Sequence, residues 1–302
     1  MSTQIKPRSS TLTQGLVRRT HGDSLLKRLI IHGILIFSCI IALYPVIRVF
    51  SVSLRPGDRL LTTSLDLIPA DASWANYQRL LSSTDFFLWV WNSLLITITT
   101  SIAGVILAAT AAYAFSRWKF PGRVPGLMLL LTTQMVPATM MLIPIYLMFV
   151  EIGRATGLPL VGSYLGLIVA YMMGGVAFSI WILKGYYDTI PIDLEEAAKI
   201  DGTTDLGAFY RIILPLSTPA LAIVFLFNFT TAWVEYPLAR IILPRSEVFT
   251  WALGIRSLQA QFNTEWGTFA AASVLVAIPT MALFLWSSKW LISGLTIGSV
   301  KG

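Results

Sequence analysis

Residues that commonly build catalytic, metal and disulfide sites are scarce in this chain of 302 residues. It contains one cysteine, Cys39, which lies within an apolar run, and two histidines, His21 and His32. A single thiol can neither form an internal disulfide nor supply a cysteine-rich metal site. Neither histidine has a partner at metal-ligand spacing, so we expect both to be structural. The sequence therefore predicts no metal site and no disulfide framework.

Charge is scarce as well. Asp, Glu, Lys and Arg make up 12% of the residues, whereas soluble domains usually carry about 25%. Hydrophobic residues make up 55% of the chain, so a soluble globule would expose an enormous apolar surface and a bilayer is the natural solvent. The formal net charge of +7 could indicate a nucleic-acid partner. The basic residues instead gather in segments between long apolar runs, and we expect no nucleic-acid binding.

Nucleotide-binding and hydrolytic motifs are also absent. The dipeptide Gly-Lys does not occur, so the chain cannot contain the G-x-x-x-x-G-K-[ST] loop that cradles nucleotide phosphates. It also lacks G-x-S-x-G, H-E-x-x-H and a dinucleotide fingerprint. We predict that the chain is not an enzyme and holds no cofactor of its own.

Long apolar runs are what the sequence has in abundance. A helix rises about 1.5 Å per residue, so about 20 apolar residues cross the hydrocarbon core of a bilayer. Runs near this length occur six times, at residues 29–52, 88–115, 126–150, 164–183, 219–234 and 269–291. The sequence thus predicts an all-α, polytopic membrane protein with six transmembrane helices. Few ionisable residues lie within the runs, which weighs against a proton- or ion-coupled carrier.

The distribution of Lys and Arg predicts the orientation of these helices. Segments on the N-terminal side of the membrane hold 14 basic residues, and segments on the opposite side hold 8. Arg117, Lys119 and Arg123 lie together in one short loop of the first group. We therefore predict that both termini are cytoplasmic. The expected organisation is a cytoplasmic tail at 1–28, a six-helix domain at 29–293 and a cytoplasmic tail at 294–302.

Residues 191–215, between the fourth and fifth apolar runs, form a polar and charged segment that begins with a predicted short helix. Asp193 can cap this helix, and Glu196 three residues later completes an arrangement like a capping box. Acidic side chains in the first turn suit the positive end of a helix. Gly202 stands where a left-handed residue would end the helix.

A second short helix is predicted after this glycine. Thr203 or Thr204 can cap it, and Pro215 would break it. From these residues alone, two interpretations are open. The segment is either a capped hairpin that only joins two spans, or a surface on which a partner protein docks.

The same segment resembles the EAA loop of ABC importer permeases. That pattern combines E-A-A, a glycine four residues on, and I-x-L-P after nine intervening residues, and every part is present here. In that family the first short helix is the coupling helix, which seats in a groove of the ATPase subunit. The residues to which the resemblance assigns this coupling role are Glu195, Glu196, Ala197, Ala198, Asp201, Gly202, Ile212, Leu214 and Pro215.

The likeness extends along most of the chain. Residues 104–122, which include A-Y-A-F-S-R-W-K-F-P-G, look like the second-span exit of carbohydrate permeases, and K-G-Y-Y-D-T-I at 184–190 precedes the loop as in sugar importers. The ending G-L-T-I-G-S-V-K-G is similar to the tail of the smaller permease subunit of maltose importers. Two departures are Ser299, where glycine is expected, and a short loop between the first two spans. The resemblance implies ABC type I importer architecture, with maltose, maltodextrin or a related oligosaccharide as cargo.

Partners are also implied by this resemblance. They are a second permease subunit that completes a heterodimer in the inner membrane, two ATPase subunits that hold ATP and Mg²⁺, and an extracytoplasmic sugar-binding protein. The tail residues expected to contact the ATPases are Gly298, Ser299, Val300, Lys301 and Gly302. The outer-loop residues expected to contact the binding protein are Gln259, Gln261, Asn263 and Trp266. The alternative for that outer loop is a solvated connection.

Two other functions are compatible with the sequence. One is a self-sufficient secondary carrier, and the other is a membrane scaffold with no transport role. Copurification of an ATPase would exclude both, and ion-driven uptake by the chain alone would favour the carrier. Gln134, Asn228 and Thr231 are polar residues within the apolar runs that could touch sugar, although hydrogen bonding between helices is their commoner role.

Overall fold

The computed structural model describes residues 25–56, 68–259 and 264–297. Every regular element within these ranges is a helix, as the composition predicted. Five helices in the described ranges are long and apolar enough to cross a membrane, and a bent pair makes a sixth if its two parts count as one span. The all-α, polytopic fold expected from the apolar runs is therefore confirmed.

The long helices match the predicted runs closely, apart from the third. Each extends the apolar run by one to six residues at one or both ends. They are α1 (Leu25–Ser53), α3 (Phe86–Arg117), α6 (Tyr164–Tyr187), α10 (Thr218–Val234) and α13 (Trp266–Ile297). Of these, α10 is one part of the bent pair, and the fifth continuous helix long enough to span is Ala138–Thr156.

The third predicted run, 126–150, is not one continuous helix. It is divided into α4 (Arg123–Thr133) and α5 (Leu142–Thr156), with a 3-10 turn at Ala138–Met141 between them. Pro137 has extended backbone angles at the break. Because proline has no backbone N–H, it cannot donate to the carbonyl of Thr133, and the helix stops short of it. The third apolar run is therefore interrupted at Pro137.

Shorter helices lie at the two ends of the bundle. We call the end that carries residues 191–215 the near end, and the opposite end the far end. The far end carries α2 (Ala75–Ser83), α11 (Pro237–Ile242) and α12 (Trp251–Ser257). The near end carries α7 (Asp193–Ile200), α8 (Asp205–Ala208) and α9 (Leu214–Leu216), with a π-helical turn at Phe209–Ile213 between α8 and α9.

Helix α3 packs against both α6 and α10. Small residues on α3 allow the close approach, and Ala108 and Ala112 are fully buried there. They pack with large side chains such as Leu183 of α6 and Val224 of α10. Helices α3, α6 and α10 thus form the framework that supports the near-end loop, residues 191–215.

The chain divides into two compact units, Met1–Arg48 and Val49–Gly302. The first unit is described from residue 25 onward as the N-terminal part of α1, with exposed apolar side chains such as Leu29 and Phe37. Within the second unit, Asn76 of α2 donates hydrogen bonds to the carbonyls of Ser53 (3.0 Å) and Arg55 (2.8 Å). The end of α1 is thereby tied to α2.

Candidate functional site

Helix α7 begins one residue away from the predicted position. Its N-cap is Ile192, which has no side-chain capping bond, and Asp193 is the first helical residue. The carbonyl of Ile192 instead accepts the N–H groups of Glu195 (2.9 Å) and Glu196 (3.1 Å). The predicted capping box was therefore wrong. The acidic first turn is present, and it suits the positive end of the helix dipole.

Gly202 ends α7 in the way its position predicted. Its φ is +86°, in the left-handed region. Its N–H donates to the carbonyl of Lys199 (3.0 Å), and the N–H of Thr203 donates to the carbonyl of Ala198 (2.9 Å). These two bonds form a Schellman motif, which satisfies carbonyls at the helix end. A glycine is needed here because other residues adopt this φ at a cost.

The second short helix is capped by Thr204, whose side chain accepts the N–H of Gly207 at 3.1 Å. This confirms one of the two predicted caps. The helical path runs past Pro215 to Leu216, so the helix ends about one residue later than the predicted break at the proline. The segments Asp205–Leu216 and Thr218–Val234 then meet at 76°. Pro215 and Pro219, on the two sides of this bend, both lack an N–H, so neither can donate to the carbonyl four residues earlier.

Glu195, one of the predicted coupling residues, is buried against α3. Arg117 Nε donates to Glu195 Oε1 at 2.5 Å, and the two side chains are only 8% and 4% exposed. The Tyr113 hydroxyl donates to Glu195 Oε2 at 2.7 Å. Removing one member of a buried ion pair leaves the other charge uncompensated, at a typical cost of about 3–5 kcal/mol. Glu195 therefore faces its own protein and not a docking partner.

A second carboxylate extends this contact to α6. Asp188, just after α6, accepts hydrogen bonds from Ser116 Oγ (2.7 Å) and Lys184 Nζ (2.5 Å). Burial raises the pKa of Asp188, but the hydrogen bonds from Lys184 and Ser116 outweigh it and hold the pKa below its usual value. Arg117 Nη2 also donates to the carbonyl of Ile190 at 3.0 Å. The ends of α3 and α6 and the start of the loop thus share one polar cluster.

The loop also exposes apolar groups. Ile200 is 88% exposed, and Glu196, Ala197, Asp201 and Gly202 are also exposed. Other exposed large apolar side chains of the loop are Ile192, Leu194, Leu206 and Tyr210. We call Ile192, Leu194, Ile200, Leu206 and Tyr210 the exposed apolar set. An ion pair between Lys199 Nζ and Asp205 Oδ1 (2.5 Å) spans the turn beside it, and this hydrogen bond raises the pKa of Lys199.

The remaining predicted coupling residues have mixed surroundings. Ala198, Ile212 and Leu214 are half-buried, and Pro215 is exposed. Ile213, between two of them, is the fully buried residue of this stretch and packs in the near-end core. The structure brings the predicted set together on one loop. Their contact with an ATPase stays a prediction.

Five residues of this polar cluster were not among the predicted site residues. Arg117 was noted only for its positive charge, and the others only as parts of resembling segments. The signal that could have found them is a run of polar residues at the near ends of two apolar spans, next to an acidic loop. They are Tyr113, Ser116, Arg117, Lys184 and Asp188.

The residues predicted to contact a binding protein lie at the far end. Gln259 is half-buried and its Oε1 accepts a hydrogen bond from Arg256. Trp266 is half-buried at the start of α13 and packs edge-on against Phe269. Gln261 and Asn263 lie outside the described residues, as do all five residues of the predicted tail contact, 298–302. These contacts stay predictions.

Three polar residues within the spans were candidates for one of two roles, contact with sugar or hydrogen bonding between helices. Asn228 of α10 is buried, and its Nδ2 donates to Ser179 Oγ of α6 at 3.1 Å. It therefore joins helices. Gln134 is exposed at the break between α4 and α5, where its Nε2 reaches the carbonyl of Gly174 (3.4 Å). Thr231 is exposed.

A cleft of about 750 Å³ lies between α10 and α13. Its lining is mostly apolar and aromatic, with Phe227, Trp233, Trp251 and Phe284 among its side chains. Polar groups that would orient a sugar are few on these walls, so we assign it no sugar site. In the described part of the chain, no group of three or more His, Cys, Asp or Glu residues is placed to hold a metal ion.

Comparison with known proteins finds strong sequence similarity. A family model described as "Binding-protein-dependent transport system inner membrane component" matches residues 102–296. The maltose/maltodextrin transport system permease protein MalG of Salmonella typhimurium is 40% identical over 293 residues, covering 92% of this chain and 97% of that protein. The protein of the same name from Escherichia coli K12 is 38% identical, covering 90% and 95%.

Two solved structures share the fold. One is a bacterial ABC transporter involved in the import of the acidic polysaccharide alginate, with a TM-score of 0.76, 23% identity, and coverage of 87% of this chain and 96% of that chain. The other is the bacterial alginate ABC transporter in complex with an alginate pentasaccharide-bound periplasmic protein, with a TM-score of 0.65, 15% identity, and coverage of 87% and 92%. At these identities the likeness concerns the fold alone.

Proposed function

This chain belongs to the family of binding-protein-dependent transport system inner membrane components, and from that membership we propose that it is one of two different permease subunits of an ATP-driven sugar importer. It forms half of the translocation pathway in the inner membrane. ATP binding and hydrolysis, with Mg²⁺, take place in two separate ATPase subunits. A soluble sugar-binding protein delivers the cargo from outside.

The observation that carries the proposal is the loop 191–215. It is fastened to the bundle through Glu195 and Arg117 at 2.5 Å. The same loop also carries the exposed apolar set, together with the exposed Glu196 and Asp201. An apolar patch with a polar rim at the end of a helix bundle has the composition of a protein-docking surface. The ATPase is the partner we assign to it, with α7 as the coupling helix.

Transport follows as alternating access. Nucleotide can shift the assembly between inward-open and outward-open states only if the two states differ in their affinity for it. Closure of the ATPases around nucleotide moves α7 of this subunit, and α7 moves the spans to which it is tied. We assign the near end to the cytoplasm, which places both termini there, in agreement with the bias of basic residues.

The far end faces the binding protein in this proposal. The contact residues we assign there are Gln259, Gln261, Asn263 and Trp266. The C-terminal residues 298–302 reach the ATPases from the near side. Maltose, maltodextrin or a related oligosaccharide is the cargo, because the two relatives described above are named for that transport.

Copurification tests this function against its two rivals. The tagged chain, extracted from native membranes, should bring down an ATPase and a second permease, and the assembly in vesicles should import maltose only when ATP and the binding protein are present. The chain by itself should not hydrolyse ATP. Ion-driven maltose uptake by the isolated chain would instead favour a secondary carrier, and an assembly that binds partners but imports no sugar would favour a scaffold.

A further inference from the structure

The polar cluster at the near end joins four separate segments of the chain. Tyr113, Ser116 and Arg117 come from the end of α3, and Arg123 from the start of α4, where its Nη2 donates to the carbonyl of Ser116 at 3.3 Å. The end of α6 contributes Lys184 and Asp188, and α7 contributes Glu195. The Tyr113 hydroxyl also lies 3.3 Å from the carbonyl oxygen of Asp205, in the second short helix.

We propose that the buried Arg117–Glu195 ion pair is the link that makes α7 move as one body with α3 and α6. Arg117 and Glu195 are positioning residues in this role: they touch neither sugar nor nucleotide. The proposal rests on the function proposed above, and it concerns how motion of the loop reaches the spans.

The geometry favours a rigid link over a flexible tether. Glu195 accepts from both Arg117 Nε and the Tyr113 hydroxyl, so both of its oxygens are held. Arg117 is held in turn by the carbonyl of Ile190 and by Ser116 Oγ (3.3 Å). Because the carboxylate and the guanidinium are both buried, water cannot easily replace either partner when α7 is pulled or pushed.

The neighbouring glutamate has the opposite surroundings. Glu196 is exposed on the docking side, whereas Glu195 is buried on the bundle side. Loss of Glu196 should therefore weaken the grip on the ATPase. Loss of Glu195 should leave the contact with the ATPase intact but prevent the motion of α7 from reaching α3 and α6. The two acidic residues of one helical turn would thus have separable roles.

The test compares Glu195→Gln with wild type in a vesicle-reconstituted assembly containing the second permease, the ATPase and the binding protein. Three quantities are measured: ATPase retained on the permease, maltose imported, and ATP hydrolysed per maltose. We expect ATPase retention to stay within about twofold, while uptake falls about tenfold and the ATP cost per maltose rises accordingly. A fold defect alone would lower the amount of assembly without changing the ATP cost per maltose.

Two further variants keep the test decisive if Glu195→Gln fails to accumulate. Arg117→Gln combined with Glu195→Gln leaves no uncompensated buried charge, and it should show the same loss of coupling. Arg117→Lys keeps the positive charge, and it should recover more uptake than Arg117→Gln does. Normal uptake at normal ATP cost by the double variant would overturn the proposal, and so would loss of ATPase retention in Glu195→Gln.

The chain offers a matched control in the far-end pair of Glu151 and Arg154. Their atoms are 2.7 Å apart, but the side chains are 69% and 71% exposed. Because exposed pairs contribute little, Glu151→Gln should change none of the three quantities. If wild type itself retains no ATPase, the proposed function fails. If wild type couples normally and the double variant does too, only the link through Arg117 and Glu195 fails.

Discussion

Glu195 and Glu196 are adjacent in the chain, yet one is buried in an ion pair and the other is exposed. A helix rotates by about 100° per residue, so neighbouring side chains point away from each other. The same division applies to Gly202, which is exposed and has open space where a side chain would start. A substitution at Gly202 thus acts on backbone conformation and on the surface presented to a partner, and not on core packing.

Gly202→Asp should leave the permease in the membrane but weaken its hold on the ATPase. The left-handed conformation costs a substituted residue about 1 kcal/mol, which is small against the stability of a six-helix bundle. A charged group at the end of a docking helix would hold the two surfaces apart. Membrane abundance, ATPase copurification and maltose uptake are measured together, and uptake should fall far more than abundance.

A matched control for this variant is Gly157→Asp. Gly157 has a similar φ of +75°, follows the end of α5, where its N–H donates to the carbonyl of Gly153, and also has open space beside it. It lies at the far end, away from the proposed ATPase surface. The two substitutions therefore carry the same backbone cost, and only Gly202→Asp should release the ATPase. Equal effects would mean that loop 191–215 is merely a connector.

Gly175→Ala should destabilise the bundle by about 1–3 kcal/mol, the usual cost of overpacking. A Cβ at this position would stand 2.7 Å from Asn228 Oδ1, in the buried contact between α6 and α10. Gly174→Ala is the control, because no atom lies within 4 Å of the Cβ it would gain. Thermal unfolding in detergent should show a lower midpoint for the first variant only. A normal midpoint for Gly175→Ala would mean that Asn228 can move aside.

At the scale of elements, the far-end segment from Glu247 to Ser257 is fastened to α3 by side chains of α3. Asn92 Nδ2 donates to the carbonyls of Glu247 (3.2 Å) and Phe249 (3.0 Å). Ser93 Oγ accepts the N–H of Trp251 at 2.7 Å. Trp89 packs so closely on α12 that a Cβ at Gly254 would be 2.0 Å from its ring. A stretch expected as a loop is thus held against a span, in position to present a fixed surface.

Asn92→Ala should loosen this segment. The substitution removes the donor from two carbonyls and the acceptor Oδ1 from the Tyr164 hydroxyl, which it contacts at 2.7 Å. Leaving buried polar groups without partners costs about 1–3 kcal/mol. Hydrogen exchange of the backbone amides at 247–254 should become faster, while exchange in α6 changes little. The control is Gln78→Ala, at an exposed position of α2. Unchanged hydrogen exchange in Asn92→Ala would show that Ser93 and Trp89 are enough to hold the segment against α3.

For the whole molecule, the fold has one consequence that can be tested in cells. If the near end is cytoplasmic, Ala70 and Ile200 lie on opposite sides of the membrane. Both are exposed. The single native cysteine, Cys39, can be replaced by serine to give a background without thiols.

In that background, with the chain expressed without its ATPase, Ala70→Cys should react with an impermeant maleimide in intact spheroplasts. Ile200→Cys should react only after the membrane is permeabilised. The physical reason is the excess of Lys and Arg on the near-end segments, which are retained in the cytoplasm during insertion. The reverse labelling pattern would contradict the assigned orientation.

The sequence by itself determined the features that depend on local chemistry. Apolar runs of sufficient length predicted α1, α3, α6, α10 and α13, because a bilayer requires the backbone to satisfy its own hydrogen bonds. Gly202 predicted a left-handed helix end, and Thr204 a cap, since each acts on backbone groups within a few residues. The EAA pattern located the near-end loop for the same reason: its spacing belongs to one short stretch of chain.

Only the tertiary structure decided which of these residues face inward. Pattern alone left open whether Pro137 breaks the third apolar run or is tolerated within it, since proline is frequent in membrane helices. It also could not pair Glu195 with Arg117, because the two are 78 residues apart and meet only after α3 and α6 have packed. The sequence determined where the loop is. The packing of distant helices determined how that loop is fastened.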